Sequence, residues 1–263
     1  MLNALVGVVL GTSIDCPDVI EFAKGLNMNN VNPVKFQSLT NCCSSSGTIC
    51  SGGRVVAINW RRLSLDGVLN LQYLPDSVDT LILSSNTIQS LPNDFSIADK
   101  LTLIDLSGNG IVASFPEYWP SHLIDLNLSC NFITGALPCL PSTLETINVA
   151  YNSLSGSIIN AFTPNITSVS INQNFFSGNL PNTVPLSLKS LYVQDNLLSG
   201  ILPYDLTMLE TLFLRTTFDG NLNSFQGFIS LGSPSTLYLS NLNVNMTLNS
   251  NSNLFDCDIS VMI

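Results

Sequence analysis

The stretch Leu188 to Pro203, LKSLYVQDNLLSGILP, constrains the fold more than any other part of this chain. It opens with Leu188, Leu191 and Val193 at the spacing L-x-x-L-x-L, continues to Asn196 and closes with Gly200 and Pro203. The same order stands one period earlier as Ile166, Val169, Ile171, Asn174, Gly178 and Pro181, and earlier again as Leu144, Ile147, Val149, Asn152 and Gly156. A unit this short cannot bury its own apolar face. Units repeating at a fixed period must therefore stack and share one continuous core, which makes the chain a solenoid. Counted by the asparagine slot, there are nine turns, at Leu63, Asn86, Asn109, Asn131, Asn152, Asn174, Asn196, Thr217 and Leu242, spaced by 21 to 25 residues.

Within each unit the last two apolar residues fall on one side of a short strand and the residues between them on the other. Stacked parallel strands place equivalent residues about 4.8 Å apart. Six slots keep asparagine (Asn86, Asn109, Asn131, Asn152, Asn174 and Asn196), whose amide offers donors and an acceptor to backbone groups left open at a bend. Thr217 offers less, and Leu63 and Leu242 offer nothing, as atypical end turns would.

The outward column four residues before the slot reads Asn59, Ile82, Asp105, Asn127, Asn148, Ser170, Tyr192, Phe213 and Tyr238. Two residues further on it reads Arg61, Ser84, Ser107, Ser129, Ala150, Asn172, Gln194, Arg215 and Ser240. The face is polar and nearly uncharged in its middle, then gains an aromatic row, Tyr192, Phe213 and Tyr238, with Arg215 beside it. Exposed aromatics with an arginine are the residue types enriched at binding hot spots, so these four are the candidate ligand-binding residues. The alternative is that the rings shield an open C-terminal end.

Composition narrows the function. Eight basic residues face 18 acidic ones, a net charge of −10, so the clustered positive face that nucleic acid requires is excluded. Only 10% of residues are charged, which leaves Ser, Thr and Asn to make the surface. With one histidine, His122, the usual proton shuttle near neutral pH is almost absent. Asp105 and Asp125 are carboxylates on adjacent turns, the residue types of a glycosidase pair. Nothing nearby in sequence supplies a nucleophile or a walled pocket, and the pair reads as a solvated acidic patch. Cys130 and Cys139 lack the partners of a zinc site and read as buried thiols or, alternatively, a disulfide. No cofactor or metal is expected.

The chain opens with an apolar run, Ala4 to Leu10, then Gly11, Thr12 and Ser13. Residues 1–13 form a candidate signal-peptide remnant without a positive n-region; the alternative is a disordered start. The run is too short to span a bilayer, which takes about 20 apolar residues. Asp15 to Leu26 reads as a short amphipathic helix, capped by Asp15 and ended by Gly25. Four of seven cysteines (Cys16, Cys42, Cys43 and Cys50) crowd the segment 14–53, which reads as a disulfide-stapled cap over one end of the core in residues 54–263. Three sequons, at Asn127, Asn165 and Asn245, are candidate glycosylation sites.

The order helix, Cys42-Cys43 pair, Cys50, then Gly53-Arg54-Val55 entering a strand resembles the N-terminal cap of plant-type leucine-rich repeat proteins. The segments FITGALP, FFSGNLP and LLSGILP resemble that family's L-x-G-x-I-P extension. The resemblance covers about residues 15 to 245 and implies an α/β repeat solenoid, a right-handed superhelix with a parallel concave β-sheet. It also implies the pairings Cys16–Cys42 and Cys43–Cys50. The tryptophan that the family places just after the doublet is absent, and Ser44 to Ser46 stand there instead. Asn221 to Pro234 loosens the register, Asn241 to Asn253 is rich in Asn and Ser, and Leu254, Cys257 and Ile259 resemble one more strand beginning. Without paired cysteines at that end, either the end is ragged or the chain is a fragment of a longer one; Cys257 is expected to be free.

The resemblance, to receptor-like ectodomains and polygalacturonase inhibitors, implies a non-catalytic recognition module, secreted or at the cell surface. Such a module binds protein, peptide or glycan on its concave face. The alternative is a structural or wall-associated repeat protein; a carbohydrate-active enzyme is a third reading that no residue supports. The sequence carries no transmembrane segment and leaves the oligomeric state open.

Overall fold

The computed structural model describes residues 13–203, 205–213, 224–231, 236–238 and 243–248, with side chains at 205 and beyond 212 excepted. Residues 1–12, Arg215, Thr217, Leu242, Leu254, Cys257 and Ile259 lie outside the described residues, as do the side chains of Phe213, Tyr238 and Asn245.

Among the described residues, ten strands form one sheet. Thr48–Ser51 pairs antiparallel with Arg54–Asn59, and every later pairing is parallel. The parallel order continues through Thr80–Ile82, Leu103–Asp105, Asp125–Asn127, Thr146–Asn148, Ser168–Ser170, Ser190–Tyr192, Thr211–Phe213 and Thr236–Tyr238. Three-residue strands have no stability alone, so their apolar residues must supply it through the stack. Leu81, Ile104, Leu126, Ile147, Val169, Leu191 and Leu212 stand beside one another in register and are all buried. Each such side chain contributes about 1.5–3 kcal/mol. The second apolar position of each strand unit, Leu83, Leu106, Leu128, Val149, Ile171 and Val193, is buried as well.

The asparagines bind more than their own bend. Asn152 accepts from the Ile133 N–H of the preceding turn at 2.9 Å. Its amide nitrogen donates to Leu128 O, also of the preceding turn, at 3.0 Å and to its own turn's Val149 O at 3.1 Å. Asn109, Asn131, Asn174 and Asn196 repeat the pattern, and Asn86 accepts from both Leu63 and Leu65. Each asparagine is thus a rivet between turns.

The segments after the asparagines form a second, seven-stranded sheet that the Gly- and Pro-bearing extension does not predict locally. It includes Thr134–Gly135, Ser153–Gly156, Phe175–Asn179, Leu197–Ile201, Ser224–Leu231 and Asn243–Leu248. The expected loosening over Asn221 to Pro234 contains a strand of this sheet, paired parallel with Leu197–Ile201.

At the N-terminal end, α1 (Cys16–Gly25) buries Val19, Phe22 and Ala23, and Phe22 meets Trp60 with ring centroids 5.9 Å apart. Asp15 sits at its N-cap position but makes no side-chain cap bond. Its carboxylate instead takes the Arg54 guanidinium, the Val55 N–H and the Ser77 hydroxyl. Burial alone would raise its pKa; the hydrogen bonds from Val55, Arg54 and Ser77 and the Arg54 charge outweigh that and leave it below the ordinary value. A cation and a strand amide compete for the oxygen that would otherwise cap the helix. Gly25 is the last residue of α1, as expected. Leu26 is the C-cap residue that follows, and Asn27 takes a positive φ of 53°. Two further short helices, α2 (Met28–Val31) and α3 (Pro33–Ser38), follow.

Cys16 is bonded to Cys42 and Cys43 to Cys50, the connectivity that the resemblance implies. Where the family has its tryptophan, Ser45 is buried and its hydroxyl donates to Ser38 O at 2.7 Å. Cys130 and Cys139 correct the expectation of buried thiols: both are free and exposed. Cys130 occupies the left-handed position before Asn131, with φ 57°, where the chain turns out of the sheet and carries its side chain outward. Cys139 follows Pro138 in a surface loop.

Candidate functional site on the concave sheet

The constant register turns sequence spacing into columns. Asn59, Ile82, Asp105, Asn127, Asn148, Ser170, Tyr192, Phe213 and Tyr238 are successive partners across the sheet. Tyr192, Phe213 and Tyr238 therefore occupy consecutive positions of one column, and the Tyr192 side chain is half-buried.

The register also reveals a column that the sequence analysis does not single out. Thr80, Leu103, Asp125, Thr146, Ser168, Ser190, Thr211 and Thr236 stand side by side, two residues before the first column. From Thr146 onward this is an unbroken row of hydroxyl residues. Period-2 alternation was the available signal, since a residue two positions back must share the face.

In the column that begins at Arg61, Arg61 is exposed and Ser107 and Gln194 are half-buried, but four members are recessed. Ser84 is 1% exposed, and Ser129, Ala150 and Asn172 are also buried. These short side chains lie where each strand enters its bend, and neighbours in adjacent turns close over them. In the middle of the face the polar groups bind locally. Asp105 accepts from both the N–H and the hydroxyl of Ser107, at 3.0 and 2.6 Å, and Asn127 binds Ser129 in the same way. Asn148 accepts from the Ala150 N–H.

Asp105 and Asp125 are offset: Asp125 pairs in register with Leu103 and Asp105 with Asn127. The Ser107 contacts engage one Asp105 oxygen. His122 is exposed, its ring nitrogen 3.1 Å from the Ser121 hydroxyl. Among the described residues, Cys42, Cys43 and Cys50 are grouped closely enough to hold a metal, but their sulfurs are in disulfides and offer no thiolate. Of the sequons, Asn165 is exposed and donates to Ser142 O, and Asn127 is half-buried. The backbone of Asn245 lies in the strand Asn243–Leu248.

A family model described as Leucine Rich Repeat matches residues 143–164 and 187–209. Among curated proteins, the chain is 32% identical over 138 residues to "Serine/threonine-protein kinase BRI1-like 1" of Arabidopsis thaliana, covering 49% of this chain and 12% of that protein. Among solved structures, PEPR1–AtPEP1 superposes with a TM-score of 0.69 at 29% identity, covering 88% of this chain and 35% of that one. The plant peptide hormone receptor RGFR1 in complex with RGF2 matches with a TM-score of 0.50 at 25% identity, covering 68% of this chain and 36% of that one. The chain thus spans about an eighth of the curated relative and about a third of each matched receptor chain.

Proposed function

We propose that this chain, which resembles plant leucine-rich repeat receptors, is a non-catalytic recognition module whose concave sheet binds a peptide. The observation that carries this reading is the register that aligns Tyr192, Phe213 and Tyr238 in one column. Beside it runs the hydroxyl row of Ser190, Thr211 and Thr236. An extended peptide laid across parallel strands meets apolar area from the rings and hydrogen-bonding groups from the hydroxyls, repeated at the strand spacing. Arg215, two residues after Phe213 in sequence and outside the described residues, is the candidate partner for an acidic group. The likeness to a peptide hormone receptor supports the choice of peptide over glycan.

The module works outside the cell or at its surface, as the two cap disulfides and the receptor-like relatives favour. Among the described residues no helix is long and apolar enough to cross a membrane. Asn127, Asn165 and Asn245 are its proposed glycan sites.

The test is to pan a random peptide library on the oxidised protein, then titrate the selected peptides calorimetrically. Tyr192→Ala or Phe213→Ala should weaken binding by about 2 kcal/mol, roughly 30-fold, whereas Ser107→Ala should change it little. Selected peptides that bind Tyr192→Ala and Phe213→Ala as tightly as the parent would overturn the reading.

A further inference from the structure

We propose that the groove between the cap and the first turn of the concave sheet is a subsite for an anionic group (carboxylate, sulfate or phosphate) carried by a ligand. The groove has a volume of about 410 Å3. Lys35 of α3 and Arg61 of the first turn both line it, together with Asn59, Ser44 and Ser46, and no carboxylate does.

That lining is unusual for this chain. Acidic residues outnumber basic ones 18 to 8, so two cations lining one groove without a carboxylate stand against the charge of the whole chain. Lys24, Arg54 and Lys189 each have an acidic neighbour: Lys24 pairs with Glu21, Arg54 with Asp15 and Asp76, and Lys189 with Glu210. Among the described residues Lys35, Arg61, Arg62 and Lys100 form no ion pair, and of these Lys35 and Arg61 line the same groove. Arg62 follows on the same turn and is exposed, which adds a third positive charge near this end.

The two cations are complementary. Partial burial holds the Lys35 pKa below its ordinary value, because the ammonium has lost water without gaining a counter-charge. An anion entering the groove supplies that charge. Arg61 is exposed, and its planar fork can take two oxygens of the same group. The serine hydroxyls and the Asn59 amide supply neutral donors beside them. The register also places Ser84 next to Arg61 in its column; Ser84 is buried and its hydroxyl has no partner. The groove lies at the opposite end of the sheet from Tyr192, so this inference stands apart from the aromatic row and extends the binding face to both ends.

The probes are sodium sulfate, phosphate and acetate, each titrated at constant ionic strength into 15N-labelled, oxidised protein, with sodium chloride as the control. The expected result is saturable amide shifts confined to residues 32–46 and 59–63 for at least one probe, the preferred one identifying the group. Lys35→Gln/Arg61→Gln should weaken that binding at least about 10-fold with the thermal midpoint unchanged. Lys35→Arg, which keeps the charge, should retain it, and Tyr192→Ala should leave it untouched. Shifts that chloride reproduces, shifts centred on Lys24, Lys100 or Lys189, or equal affinity in the double variant would overturn the proposal.

Discussion

Residue by residue, the asparagines bear the sharpest test. Asn152→Leu keeps the branched side-chain shape but strands the Ile133 N–H and removes one of two amide bonds to each of Leu128 O and Val149 O, which still accept from Asn131 and Asn174. The stranded amide costs about 1–3 kcal/mol and the two lost bonds add to it, so the substitution should destabilise by about 2–4 kcal/mol in urea unfolding. Asn165→Leu, which removes one exposed bond to Ser142 O, should cost less than about 1 kcal/mol. Gly108→Ala is a cleaner probe of backbone strain. Its φ is +62° and the nearest atoms to an added Cβ would lie 3.7 Å away, so about 1 kcal/mol should be lost to the left-handed conformation alone. The period made the asparagine positions legible in the sequence. Their partners were not, because which carbonyl an amide meets depends on how one turn sits on the next. Cys130 was misread for a related reason: the left-handed φ that points it outward is not a property of cysteine.

Among the elements, the cap's junction with the first turn depends on close approach. Val68 N–H donates to Gly25 O at 2.8 Å, and a Cβ on Gly67 would lie 2.0 Å from that same oxygen. Gly67→Ala should therefore push α1 off the first turn, at about 3 kcal/mol or more, read as early loss of Trp60 fluorescence on denaturation. The Asp15 site gives a pH signature. Its folded pKa lies below its ordinary value of 3.8, so its stabilisation is complete above that pH and is lost as pH falls through the folded value. Asp15→Asn should unfold at lower urea than the parent near neutrality, and the gap should close below about pH 4. The helix α1 was legible from its apolar face, but the use of Asp15 was not, since Arg54 and Val55 lie 39 and 40 residues away. The second sheet was invisible for the same physical reason. Its strands carry Gly and stop at Pro, and only pairing between successive turns makes them strands.

Across the whole molecule, the aromatic column could be read from spacing because the register never slips between Asn59 and Tyr238. The burial of Ser84, Ser129, Ala150 and Asn172 in the next column could not, since burial is decided by neighbours from other turns. Each asparagine reaches back to the preceding turn, and that gives the coupling a direction. Hydrogen exchange in Asn152→Leu should accelerate at the Ile133 amide, which Asn152 holds, and much less at the Leu154 amide, which Asn174 holds. Equal acceleration at both amides would mean that the rivets act only through overall stability.

That backward reach has a consequence for how the chain is made. A ribosome delivers the turns from the N-terminal side, and the groups that Asn152 must satisfy, at Leu128 and Ile133, emerge about one period before it does. Every nascent turn therefore waits, with open amides and carbonyls, for its successor to arrive and close it. Ordered structure should trail the exit tunnel by one repeat throughout synthesis. A pause just before an asparagine would hold the most recent strand unlatched at the moment it is most able to pair with another chain.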